Sequence, residues 1–230
     1  MTAVGQRTLY GRRRGKKLRA GQQSLLDTLL PRLSLAVPAA PGKIDLAQIF
    51  GGFGVDDFWL EVGFGSGEHL VWQAQHNLNV GLIGCEPFMN GVAKCLAQID
   101  RSGVANNVRL FADDARLVMA ALPERSLGRV FVLFPDPWPK QRHHKRRFVQ
   151  PATLDELARL MRPGGELRLA TDDPGNLRWM IECVCTHPAF EWLAERPCDW
   201  RERPADWPPT RYERKMLAGH KPAFLRFTRR

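Results

Sequence analysis

Five short apolar runs in this sequence end in, or next to, carboxylates. The run at 58–62 carries Glu61 and the run at 80–85 is followed by Glu86. The run at 108–111 leads to Asp113 and Asp114, the run at 130–134 to Asp136, and the run at 166–170 to Thr171 and Asp172. Runs of this length, rich in Val, Ile, Leu and Phe and bounded by turn residues, predict β-strands. In an open α/β sheet, ligands bind in the crevice outside the carboxyl ends of the strands. A ring of acids there suits a ligand that is cationic or rich in hydroxyls. The ring is set in a basic chain, with a net charge of +10 and a pI near 9.9.

Asp136 is the most tightly framed of these acids. It lies in Phe134-Pro135-Asp136-Pro137-Trp138-Pro139. The flanking prolines keep its backbone out of helix and present the carboxylate on a stiff turn. Lys140, Arg142, Lys145, Arg146 and Arg147 follow, five cations in eight positions, with His143 and His144 among them. An acid and an aromatic delivered beside a cationic ridge point to chemistry on a polyanion. A strand, a Pro-rich turn and a solvated basic loop would leave the same pattern.

The first strand runs into Gly63-Phe64-Gly65-Ser66-Gly67. The dinucleotide fingerprint G-x-G-x-x-G would need its third glycine at position 68, which is Glu68. A carboxylate there disfavours a pyrophosphate at the helix N-terminus. The tighter spacing of Gly63, Gly65 and Gly67 suits a nucleoside without phosphates, whose sulfonium tolerates nearby acids. Glu86, 19 residues past Gly67 at the end of the second strand, is placed to accept both ribose hydroxyls. Asp114 suits the adenine amino group. S-adenosylmethionine meets all three conditions and NAD meets fewer. A glycine loop alone is as often an unrelated tight turn. Acids on the next three strands make it a cofactor loop.

The elements that must position these residues alternate in type. Helical spacing predicts helices over 68–77, 88–99, 115–122, 153–161 and 176–185, between strands at 58–62, 80–85, 108–111, 130–134 and 166–170. Two more strands are predicted at 190–194 and 223–228, before and after a Trp- and Pro-rich loop at 197–209. Alternation of this kind predicts a mostly parallel sheet covered on both faces, with an antiparallel pairing at the C-terminal end. Ahead of it, residues 1–20 read as a mobile basic arm. A helix over 20–33 stops near Pro31, 34–43 is a linker, and Asp45 caps a short helix reaching Phe50.

A chain of 230 residues suits one domain with a short arm. Three short stretches, at 7–19, 140–147 and 214–230, hold 18 of its 34 Lys and Arg. Together they favour a nucleic-acid partner. No apolar run spans a membrane and no signal-peptide core follows the basic N-terminus, so a cytoplasmic protein is expected. The five cysteines form no C-x-x-C pair and read as core thiols; the six histidines lack metalloprotease spacing, and no metal is expected. Ser66 lacks the spacing of a nucleophile elbow, which excludes a serine hydrolase.

The sequence resembles the bacterial tRNA (guanine-N7-)-methyltransferases. The resemblance rests on LEVGFGSG at 60–67, Glu86 at its strand end, FPDPWPKQRHHKRRFVQ at 134–150, ATD at 170–172 and TRYERKMLAGH at 210–220. LYGRRRGKKLRAGQQSLLDTLLP at 9–31 is similar to that family's opening segment. It implies a Rossmann-like class I methyltransferase fold over 44–230, preceded by a basic arm and helix over 1–43. It implies methyl transfer from S-adenosylmethionine to guanine 46 of the tRNA variable loop. By motif match Glu61, Glu86, Asp114 and Asp136 contact the cofactor, and Asp136 is the catalytic acid. Lys140, Asp172, Thr210, Arg211, Tyr212 and Glu213 contact substrate. Arg142, His143, His144, Lys145, Arg146 and Arg147 contact RNA. Two departures stand out. Pro139 replaces an expected polar residue, and the doubled Asp113-Asp114 offers two adenine ligands, of which Asp114 is preferred because Ala115 follows it.

Some roles stay open at this level. Trp138 either stacks on the guanine or anchors its turn. Glu213 either reads guanine or pairs with Thr210 in a T-x-x-E capping box. A methyltransferase acting on another nucleic-acid or amine acceptor, or a non-catalytic RNA-binding protein on this scaffold, remains an alternative. Monomer and homodimer are equally compatible with the sequence.

Overall fold

The computed structural model describes residues 10–38, 42–210, 213 and 219–230. Seven strands form one sheet: β1 (Asp57–Val62), β2 (Val80–Cys85), β3 (Val108–Phe111), β4 (Leu127–Leu133), β5 (Met161–Thr171), β6 (Phe190–Trp192) and β7 (Ala223–Arg229). Their order is β3-β2-β1-β4-β5-β7-β6. β1 to β5 pair in parallel, and β7 inserts antiparallel between β5 and β6. The expected seven-stranded sheet with an antiparallel C-terminal strand is therefore observed. β2 is buried at every residue, as a parallel strand covered on both faces must be.

Helices α1 (Ala20–Thr28), α2 (Leu30–Leu33) and α3 (Leu46–Ile49) precede the sheet. Helices α4 (Glu68–His76), α5 (Met89–Ser102), α6 (Ala115–Ala121), α7 (Pro151–Leu160) and α8 (Pro174–Cys185) alternate with its strands. Neighbouring strand residues face opposite ways, so two cores form. Leu60, Ile83, Val130 and Leu167 pack with Val118 of α6, Leu157 of α7 and Met180 of α8. Trp59, Leu82 and Phe131 pack on the other face with Leu70 of α4, Leu96 of α5 and Leu33 of α2. Burying one such Leu or Ile contributes about 1.5–3 kcal/mol, so the sheet rather than the loops carries the stability.

Four readings of the sequence need correction. Pro31 does not stop a helix. It sits in the first turn of α2, where its missing N–H costs nothing. β5 runs through Arg162-Pro163-Gly164-Gly165, with a shift of register between Leu127 and Arg129 on β4 absorbing the irregular stretch. The 197–209 loop contains a short helix, α9 (Cys198–Arg201). Of the five free cysteines only Cys85 and Cys95 are buried, while Cys185 is exposed.

Of the basic arm, residues 1–9 lie outside the described residues, and 10–19 make contacts that their composition does not suggest. Residues 10–19 lie along the start of α5 without forming helix. The Arg13 carbonyl accepts the Met89 N–H at 3.0 Å. Asn90 accepts the Gly15 N–H at 2.6 Å and donates to the Lys16 carbonyl at 2.6 Å. Asp45 caps α3 as expected, accepting the Gln48 N–H at 3.0 Å.

Candidate active site

The sheet order reverses at β1, whose neighbours are β2 on one side and β4 on the other. Open α/β sheets hold ligands at such a switch point. A cleft of about 630 Å³ opens there. Glu61, Gly63, Gly65, Glu86, Asp113 and Asp114 line its β1 to β3 side. Asp136, Trp138, Arg146 and Thr210 line the other.

Gly63, Gly65 and Gly67 all adopt positive φ, at 74°, 58° and 89°. Gly67 does not line the cleft. It caps α4, and a Cβ there would lie 2.4 Å from the Cys95 sulfur, so it is a glycine for the sake of packing on α5. Gly65 donates its N–H to Glu86 Oε2 at 2.8 Å, and Phe88 donates to Oε1 at 2.9 Å. Burial raises the Glu86 carboxyl above its ordinary range. The two amides pull it back, and the charges of Asp136 and Glu61 push it up again.

Glu61 is 3% exposed and meets His69 Nδ1 at 2.8 Å. His69 Nε2 meets Gln73 Nε2 at 3.2 Å, and Gln73 also donates to the Asp206 carbonyl at 2.8 Å. A Gln amide nitrogen only donates, so His69 Nε2 accepts and the proton sits on Nδ1, facing Glu61. Arg168, buried on β5, donates to the Asp206 carboxylate at 2.7 Å. This line of contacts ties a cleft acid to the 202–209 loop and sets Thr210 in the cleft wall. His69 and Gln73 escape a sequence reading because a histidine in the first turn of a helix carries no motif.

Both adenine-ligand candidates line the cleft, and each has an arginine. Asp114 caps α6 through the Arg116 N–H at 3.0 Å and takes the Arg116 guanidinium at 2.5 Å. Asp113 pairs with Arg13 at 2.5 Å.

Asp136 opens onto the cleft between two residues with positive φ, Phe134 at 50° and Trp138 at 43°. Such conformations cost about 1–3 kcal/mol each and persist where the surroundings enforce them. Here the prolines and the packing of Trp138 do so. Desolvation by the cleft walls raises the Asp136 carboxyl.

The cationic stretch is a 3-10 helix, Gln141–Arg146, rather than a loop. Arg142 and Lys145 are exposed, and His143 and His144 are half-buried. Desolvation first, and then the charges of Arg146, Arg142, Lys140 and Lys145, hold His143 below its ordinary range. Arg147 does not belong to an exposed ridge. It is 6% exposed, donates to the Pro137 carbonyl at 2.8 Å and stacks on Trp179 at 5.2 Å. It braces the Asp136 turn from behind.

Lys140 is exposed and lies outside the cleft lining, as do the buried Asp172 and the half-buried Glu213. Glu213 accepts the Thr210 N–H at 3.4 Å while Thr210 Oγ1 accepts the Glu213 N–H at 3.2 Å. That is the reciprocal geometry of a capping box. Arg203 adds an ion pair to Glu213 at 2.9 Å. Arg211 and Tyr212 lie outside the described residues. Among the described residues no cluster of three or more His, Cys, Asp or Glu is placed to hold a metal, and no helix is long and apolar enough to cross a membrane.

Sheet order and cleft together define a Rossmann-like methyltransferase fold. The solved 16S rRNA methyltransferase KamB shares it, with a TM-score of 0.55 at 16% identity over 85% of this chain and 98% of that one. The family model described as "Putative methyltransferase" matches residues 56–225. The tRNA (guanine-N(7)-)-methyltransferase of Rhodospirillum rubrum is 58% identical over 96% of this chain and 87% of its own length. That of Paramagnetospirillum magneticum is 51% identical over 96% and 92%. The chain belongs to the tRNA (guanine-N(7)-)-methyltransferase family.

Proposed function

We propose that this protein transfers the methyl group of S-adenosylmethionine to N7 of guanine 46 in the variable loop of tRNA, working in the cytoplasm. The observation that carries the reading is the convergence of Glu61, Glu86, Asp114 and Asp136 on one cleft whose outer wall is Trp138 and Arg146. The residues fit the cofactor. Glu86 is destabilised as an anion by burial and by the charges of Asp136 and Glu61, and a cationic ligand relieves that repulsion. Glu61, Gly63, Gly65, Glu86, Asp114 and Asp136 would hold it. When bound, it supplies an electrophilic methyl group on a sulfonium sulfur.

The rest of the work falls to the chain. Guanine N7 carries a lone pair and no proton, so no general base is needed. Positive charge develops on the purine as the N7 bond forms. Asp136, fixed by its turn, stabilises that charge, which is electrostatic preorganisation rather than proton transfer. The same turn orients the base. Arg142 and Lys145 bind phosphates, with Lys140 and Thr210 on the substrate side.

Incubation of tRNA with the protein and S-adenosylmethionine, followed by digestion and mass spectrometry, tests the reading. It should yield 7-methylguanosine, lost when guanine 46 is replaced by adenine. Methylation at an exocyclic amine, or none, would overturn it.

A further inference from the structure

We propose that Tyr10, from the N-terminal arm, is a base-positioning residue that completes the acceptor site opposite Trp138. This rests on the methyl-transfer reading above. Tyr10 lines the same cleft as Asp136 and is 38% exposed, so one side of its ring is open to a ligand. Its ring meets Trp138 edge-on, with centroids 6.3 Å apart and planes at 74°. The Arg146 guanidinium bridges the two, 4.3 Å from the Tyr10 ring and 5.0 Å from the Trp138 ring. Two aromatics and one guanidinium beside a carboxylate form the kind of grip that single-stranded or extruded bases receive.

Arg146 adds a second, independent observation. Its Nε is buried and finds no hydrogen-bond partner among the described residues. A buried unmet donor costs free energy until an acceptor arrives. Guanine offers one in O6, adjacent to N7. A bond to O6 leaves the N7 lone pair free for the methyl group.

Placement of Tyr10 is built into the arm. Arg13, Gly15 and Lys16 are held by Asp113, Met89 and Asn90, all on the cofactor side of the cleft. Gly15 has no room for a side chain, since a Cβ would lie 2.8 Å from the Phe88 ring and 3.1 Å from Asn90 Oδ1. The arm is seated this closely only three to six residues from Tyr10, so the ring has little freedom to leave the cleft mouth.

Steady-state kinetics of the full chain on tRNA, with cofactor affinity measured by calorimetry, decide the matter. Tyr10→Ala should lower kcat/KM for tRNA by about tenfold or more, the scale of one lost base–aromatic stack. Tyr10→Phe should restore it to within about twofold, because the ring and not the hydroxyl grips the base. Affinity for S-adenosylmethionine should stay within about twofold in both variants. Wild-type kinetics in Tyr10→Ala would overturn the proposal. So would faster turnover, which would make Tyr10 a plug, or weakened cofactor binding with unchanged tRNA kinetics, which would make it a cofactor lid. Failure of the wild-type chain to form 7-methylguanosine would instead refute the underlying reading.

Discussion

Glu86 Oε2 accepts the Gly65 N–H at 2.8 Å, so the acid that ends β2 also fixes the glycine loop that follows β1. One side chain thereby shapes the loop and lines the cleft. Glu86→Ala should weaken S-adenosylmethionine binding by more than tenfold in a calorimetric titration. A hydrogen bond to a charged group is worth roughly 1.5–3 kcal/mol, and the ribose and the loop both lose one. Unchanged affinity would remove Glu86 from the cofactor site.

Affinity for the cofactor should fall as pH falls. Glu86 and Asp136 both have carboxyls raised above the ordinary range, chiefly by desolvation. A cationic ligand binds the ionised forms and lowers those values again, so binding releases protons. Titrations from neutral to mildly acidic pH should show this release and a weakening affinity. A flat profile would mean that neither acid faces the sulfonium.

The sign for stability is opposite. A carboxyl whose folded-state pKa is raised binds more protons folded than unfolded, so stability falls as pH rises from the unfolded value through the folded one. The raised Asp136 carboxyl therefore adds no stability at neutral pH, and its exposure to solvent keeps the penalty small. Asp136→Asn should keep or raise the melting temperature while lowering kcat by two orders of magnitude or more, within the range typical for loss of one preorganised electrostatic group. A variant that loses activity and stability together would make Asp136 structural.

Arg142 and Lys145 should separate from Arg147 in their salt dependence. The first two are exposed on the 3-10 helix, while Arg147 is buried against Pro137 and Trp179. Each lost phosphate contact should reduce the slope of log K against log salt for tRNA binding by about 0.7–0.9. Arg142→Ala and Lys145→Ala should each show this. Arg147→Ala should leave the slope alone and lower the melting temperature instead. The reverse pattern would place Arg147 on the RNA.

Much of the fold was legible because hydrophobic patterning is a local signal. β2 and β3 have the bounds that their apolar runs predict. The acids were legible for the same reason: Glu86 directly follows β2, and Asp113 and Asp136 come within three residues of the ends of β3 and β4. What escaped depends on distant partners. Arg147 and Arg146 are neighbours in a uniform cationic run, and only Trp179 and Pro137 turn one of them inward. His69 gains meaning from Glu61 and Gln73, and residues 10–19 from Asn90 and Asp113, none of which shares a motif with them. The T-x-x-E pattern at Thr210 and Glu213 was readable as a cap, and the reciprocal bonds have that form.

The Glu213 cap can be measured through its arginine. Glu213 pairs with Arg203 at 2.9 Å, with the Glu213 side chain only 14% exposed. Arg203→Ala and Glu213→Ala should each destabilise the protein, by about 1 kcal/mol for the cap residue. Their effects should add to less than the sum, because both remove the same ion pair. Strict additivity in denaturant unfolding would show that the pair contributes nothing.

The central claim is that the acceptor atom is N7 of guanine, attacked without a general base beside a fixed carboxylate. A tRNA carrying 7-deazaguanine at position 46 tests it most directly, because a carbon replaces the nucleophile and the rest of the base is kept. The account predicts that this tRNA binds with unchanged affinity and accepts no methyl group from S-adenosylmethionine. Transfer of a methyl group to that base would contradict it.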